Sequence, residues 1–161
     1  YIIFTYHIKR MRVSKNFLLS EFTNSGTAKR LDIDNEPTKK HLRNLQRTVD
    51  FLLQPLRDDL GPIRISSGYR SKALNRAIGG SSKSQHCKCE ALDLQFWEMG
   101  QMNNKIIYDW ILESGIEFDQ MINEFDFSWI HISLVKKGNR RQVLEAFKDD
   151  DGDTKYRYAD V

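Results

Sequence analysis

Two stretches of this chain alternate apolar and polar residues, and each sets an ionisable side chain among apolar neighbours. In Ala91–Phe96, Leu92, Leu94 and Phe96 take one side, while Ala91, Asp93 and Gln95 take the other. In Trp129–Val135, Ile130, Ile132 and Leu134 take one side, while Trp129, His131 and Ser133 take the other. Successive side chains of a strand point to opposite faces. Each stretch therefore reads as a β-strand with one face turned into a core. The opposite faces present a carboxylate in one strand and an imidazole in the other. Such strands need a cover for their apolar face, which the rest of the chain must supply.

That cover is legible ahead of them. Leu42, Leu45, Val49, Leu52 or Leu53, Leu56 and Leu60 recur at helical spacing, which predicts an amphipathic helix of about five turns. Pro55 within it predicts a kink or a break, and Gly61-Pro62 predicts its end. Asn16–Ile33 reads as one or two short helical turns, followed by the punctuation Asn35-Glu36-Pro37-Thr38. Ser71–Ile78 reads as a short helix stopped by Gly79-Gly80. Asn103–Ser114, with Ile106, Ile107, Trp110 and Ile111, reads as another ended by Gly115. Ile63–Ser66, Phe118–Glu124 and Gln142–Phe147 read as further strands. Helices lead and strands cluster later, so the expected class is α+β, with helices packed on a largely antiparallel central sheet.

The chain has 161 residues, enough for one domain with a core that needs no staples. Its net charge of +3 is too small to argue for a nucleic-acid partner. The basic residues Lys39, Lys40, Arg43 and Arg47 read as a solvated helix face. No apolar run approaches the roughly 18 residues of a membrane span. Tyr1–Arg10 lacks a small-residue cleavage site, so no signal peptide is read there. Cys87 and Cys89 are the only cysteines and stand too close for an expected bond, which fits synthesis in a reducing cytoplasm. Asp149, Asp150, Asp151 and Asp153 lack the ligand pattern of an EF-hand and read as a solvated acidic turn. Tyr156 and Tyr158 could return the chain to the sheet.

His86 precedes Asp93 across a turn. If the two alternating strands are neighbours, His86, Asp93 and His131 converge on one sheet face. Two neutral imidazoles and one carboxylate suit Zn²⁺, with a fourth position left to water. The plainer alternatives are hydrogen-bonded histidines and an aspartate paired with an arginine. Of the other histidines, His7 lies near the start and His41 on the basic helix.

Several motifs occur in one order: Phe17-Leu18-Leu19-Ser20-Glu21-Phe22, Ser66-Ser67-Gly68-Tyr69-Arg70-Ser71, Leu74-Asn75, Gly79-Gly80, Ser84-Gln85-His86, Ala91-Leu92-Asp93, Trp129-Ile130-His131-Ile132-Ser133 and Asn139-Arg140-Arg141-Gln142-Val143. In this the chain resembles the zinc D-Ala-D-Ala carboxypeptidase family, over residues 14 to 147 or so. That family includes vancomycin-resistance D,D-dipeptidases and phage L-alanyl-D-glutamate endolysins, and shares its fold with the Hedgehog signalling domain. The resemblance divides the chain into an extension at 1–13, a zinc peptidase domain at 14–147 and an acidic tail at 148–161.

The resemblance implies that His86, Asp93 and His131 are zinc ligands. It implies that Arg70 holds substrate and steadies the oxyanion, a role a fixed guanidinium can serve. Ser84 and Gln85 would line the cleft or support its loop, with Trp129 beside the substrate. Tyr69 is expected to pack. Many relatives carry an acid where Ser128 stands, which cannot serve as a base. Glu124 is the expected catalytic base, Asp126 the second choice and Glu90 a third, whose face, shared with Leu92, points away from Asp93. Cys89 stands where relatives have Gly. Cys87 and Cys89 are read either as free thiols or as added zinc ligands. The implied activity is zinc-dependent hydrolysis of peptide bonds in peptidoglycan stem peptides, of D-Ala-D-Ala carboxypeptidase or endopeptidase type. A monomeric phage lysis enzyme is expected, made in the cytoplasm and acting on the bacterial cell wall. The alternative is a zinc-bearing, non-catalytic wall-binding or virion structural domain of the same fold, which Ser128 favours.

Overall fold

The long amphipathic run folds as two helices rather than one. In the computed structural model, which describes residues 11–161, α3 spans Lys39–Thr48, a π-helical turn spans Val49–Leu53, and α4 spans Gln54–Leu60. Pro55 lies in the first turn of α4. There its missing N–H and its ring conflict with the preceding turn, and the wider π turn absorbs the conflict. Thr38 caps α3 reciprocally with His41: the His41 N–H donates to Thr38 Oγ1 and His41 Nδ1 accepts the Thr38 N–H. That employs His41 in a helix start.

Two short helices precede this pair, α1 at Leu19–Thr23 and α2 at Gly26–Arg30. After it come β1 (Ile63–Ser67), α5 (Lys72–Ala77), a 3₁₀ turn (Gln85–Lys88), β2 (Ala91–Glu98), β3 (Gln101–Met102) and α6 (Lys105–Glu113). The chain ends through β4 (Gln120–Glu124), β5 (Trp129–Ser133), β6 (Gln142–Lys148) and β7 (Thr154–Tyr158). The strands form one sheet in the order β1-β2-β5-β4-β6-β7, with β3 paired to β2. Every pairing is antiparallel except β4 with β6. The fold is α+β.

Alternation decides which face is covered. Leu92, Leu94, Met121, Ile130 and Ile132 join one core with Val49, Leu52, Leu53 and Leu56 of the helical run and Ile107 and Ile111 of α6. Each such burial stabilises by about 1.5–3 kcal/mol relative to exposure. The opposite face carries a row in direct register: Asp93 pairs with His131, His131 with Ile122, and Ile122 with Leu144.

The described residues before α1 and after β6 each have a structural part. Val13 is buried in the core and Arg12 bridges Leu18; His7 lies outside the described residues. The acidic residues form the turn between β6 and β7, where Asp149 Oδ1 accepts the N–H groups of Asp151 and Asp153. Lys155 pairs with Asp149 and Asp153. Tyr156 and Tyr158 return on β7, opposite Ala146 and Leu144. Among the described residues, no helix is long and apolar enough to cross a membrane.

Candidate metal centre

The centre begins with a glycine. The Tyr69 N–H donates to Phe22 O at 2.7 Å, and a Cβ on Gly68 would lie 2.5 Å from that same oxygen. Only glycine lets the chain pass this close to α1. Gly68 O then points inward and accepts a hydrogen bond from His86 Nδ1 at 2.7 Å. His86 itself rides on the 3₁₀ turn, which Cys89 closes with φ of 58°. A glycine would take that angle freely; Cys89 takes it while burying its side chain in the core. Burial, with Glu90 adding to it, pushes the Cys89 thiol up to about 12.

A carbonyl can only accept, so His86 Nδ1 carries the proton and neutral His86 presents a bare lone pair at Nε2. That Nε2 lies 3.2 Å from Asp93 Oδ1 and 3.2 Å from His131 Nδ1, which is itself 2.9 Å from Asp93 Oδ1. Two acceptors, His86 Nε2 and Asp93 Oδ1, thus face each other, a repulsive arrangement that a cation between them relieves. Tetrahedral zinc bonds place neighbouring ligand atoms about 3.3 Å apart, close to the observed triangle. The donor set and its spacing fit a zinc ion. Among the described residues, this is the one cluster of three such groups close enough to hold a metal; neither Cys87 nor Cys89 joins it. Both thiols are free, and Cys87 is half-buried.

The support around the cluster is specific. Arg70 Nη2 donates to Asp93 Oδ2 at 3.1 Å, and Arg70 Nε donates to Ser67 Oγ. Arg70 thus orients a candidate ligand while also lining the cleft. Burial opposes the charge on Asp93, but the imidazoles of His86 and His131, which carry charge at the low pH where Asp93 titrates, outweigh it and hold the carboxyl far below its usual range. Burial dominates at His86 and lowers its pKa, keeping the imidazole neutral and able to ligate.

These groups line a cleft of about 690 Å³ whose other lining includes Ser84, Gln85, Glu124 and Trp129. Glu124 ends β4 on the same face as His131, since Ile122 pairs with His131 and Glu124 with Trp129. It is 8% exposed. Burial pushes its pKa up to about 7, with His131 and Arg70 pulling down and Asp93 pushing up. A divalent cation in the cluster would draw that value lower.

The turn after Glu124 is backbone under strain. Phe125, Asp126 and Phe127 have φ of 48°, 55° and 60°, a region that side chains other than Gly seldom enter. Ser128 Oγ donates to Phe125 O, the Ser128 N–H to Glu124 O, and the Phe127 N–H to Asn123 Oδ1. Buried Asn104 donates to Phe127 O and Ser128 O, and Gln95 also donates to Ser128 O. Ser128 is therefore a clasp for the turn. Asp126 sits exposed in that turn and Glu90 turns toward α3, accepting from Asn44 Nδ2; neither lines the cleft.

Two supports escape the sequence reading. Gln85 donates to Asp119 Oδ2 at 2.9 Å, and Arg140 holds the same carboxylate through Nε and Nη2. The Asn139–Val143 motif thus anchors a cleft residue; a lone Asp at a strand start gives no signal of it. Asn75 Nδ2 donates to Gly80 O and Ser81 O, and a Cβ on Gly80 would strike Asn75 Oδ1. That pairing shapes the Gly79–Ser84 wall of the cleft. Tyr69 packs on His41 with ring centroids 4.9 Å apart.

The fold gathers two histidines and an aspartate over an open cleft, a donor set that suits a divalent metal. The family described as Peptidase M15 matches residues 15–133. The chain belongs to that family, one of zinc peptidases of the D-Ala-D-Ala carboxypeptidase type. No curated protein matches the chain.

Proposed function

We propose that this chain is a zinc-dependent peptidase that hydrolyses peptide bonds in peptidoglycan stem peptides, with phage lysis of the bacterial wall as its setting. One observation carries this reading: a buried carboxyl, Glu124, shares the sheet face and the cleft with the His86–Asp93–His131 cluster. Held by those three residues, zinc supplies Lewis acidity, polarising a carbonyl and making water easier to deprotonate. Glu124 takes the proton of the attacking water on a carboxylate oxygen and returns it to the leaving amine. Arg70 favours the negative charge that grows on the carbonyl oxygen, while its hydrogen bond to Asp93 Oδ2 orients that ligand. Ser84, Gln85 and Trp129 flank the peptide.

By residue type alone, Ser128 favours a non-catalytic role. That serine is engaged in the turn, and Glu124 supplies a carboxylate from another position. The test is to incubate purified protein on peptidoglycan, with zinc and with chelator, and to count new amino termini. Zinc-dependent release supports a peptidase; a zinc-loaded protein that releases nothing from any wall type excludes one and leaves a wall-binding or structural role.

A further inference from the structure

The β6–β7 hairpin adds a wall to the cleft. Glu124 on β4 pairs with Ala146 on β6, and Ala146 pairs with Tyr156 on β7. Trp129, Glu124, Ala146 and Tyr156 therefore form one cross-strand row on the cleft face. Two strand spacings put Glu124 and Tyr156 about 10 Å apart at their backbones. The only side chain between them in the row is the methyl of Ala146, which is buried. Tyr156 is thus free to lean over it, and both Tyr156 and Glu124 line the cleft. Its hydroxyl stays protonated: partial desolvation in the cleft raises its pKa, with the charges of Glu124 and Asp93 adding to the effect. An exposed aromatic ring with a donor at its tip, sharing a cleft with a buried acid, is suited to contact a ligand. Tyr156 stands beyond the family match, which ends at residue 133.

We infer that Tyr156 is a substrate-binding residue, its ring walling the cleft and its hydroxyl donating to the peptide within about three residues of the scissile bond. This rests on the peptidase reading. The β6–β7 hairpin is then part of the binding machinery and not an appendage.

The probe is a synthetic stem pentapeptide, in its lysine and diaminopimelate forms. Its binding by calorimetry and its cleavage are followed for zinc-loaded wild type, Tyr156→Ala and Arg157→Ala. Arg157 lies on the same strand but on the opposite face, paired with Glu145. Tyr156→Ala is expected to raise Kd and KM about tenfold or more, a loss typical of a truncated aromatic contact. Its kcat should move less than about threefold and its zinc content should not change. Arg157→Ala is expected to match wild type. Unchanged Kd and KM in Tyr156→Ala overturn the inference, and so does an equal loss in Arg157→Ala, which would mean that only hairpin integrity matters. If wild type binds without cleaving, the proposed activity falls while the binding comparison still decides Tyr156. If wild type neither binds nor cleaves either form, both fall.

Discussion

The two faces of the same strands do opposite things. On one face Leu92, Leu94, Ile130 and Ile132 are fully covered and hold the sheet to its helices. On the other, Asp93, His131 and Glu124 crowd charge and lone pairs into a partly buried cleft. The first face stabilises the fold. The second is strained without a cation, because buried charges and facing acceptors are unfavourable. The difference teaches that a period-two pattern can separate stability from chemistry within a few ångströms. Substitutions on one face should change melting, and those on the other should change metal binding and turnover.

The largest effect is expected from His131→Ala, which should abolish stoichiometric zinc binding and activity; zinc retained in full, measured by metal analysis, would remove the ligand set. Glu124→Gln comes next: zinc content is expected to hold while kcat falls by about 10²–10⁴. Leu94→Ala, from the other face, should cost about 2–5 kcal/mol in denaturant unfolding and leave the zinc stoichiometry of the folded protein intact. Arg70→Ala should keep zinc yet lower kcat/KM by at least about tenfold; unchanged kinetics would make Arg70 a purely structural partner of Asp93. The smallest effect concerns the metal-free protein. The Glu124 carboxyl is raised by burial to about 7, so the fold favours its neutral form. That stability is present below the unfolded value and is lost as pH rises through the folded one. Metal-free Glu124→Gln should therefore melt above wild type at pH 8 and with it at about pH 4, below the unfolded value of 4.5. Coincident melting curves at both pH values would deny the burial of that charge.

Much of the core face was legible because alternation is a local signal. Leu92, Leu94, Ile130 and Ile132 announce their own side, and Asp93 and His131 must then share the other if the strands pair. Their direct pairing is a long-range fact that no local pattern contains. The part of the site that escaped depends on such facts. Asp119, Arg140 and Asn75 act through partners far along the chain or through backbone carbonyls. Tyr156 comes to the cleft only because β6 runs parallel to β4 and carries β7 with it. The helix break at Pro55 was foreseeable, but the π turn that absorbs it was not, since proline chemistry permits a kink as readily.

The central claim is that Glu124 and the His86–Asp93–His131 cluster act as one hydrolytic site. It is tested most directly by digesting peptidoglycan with wild type and Glu124→Gln at matched zinc content and counting new amino termini. The account predicts zinc-dependent release by wild type and release reduced at least about a hundredfold in the variant. Equal release by the two proteins, or none by zinc-loaded wild type on any wall type, would contradict it.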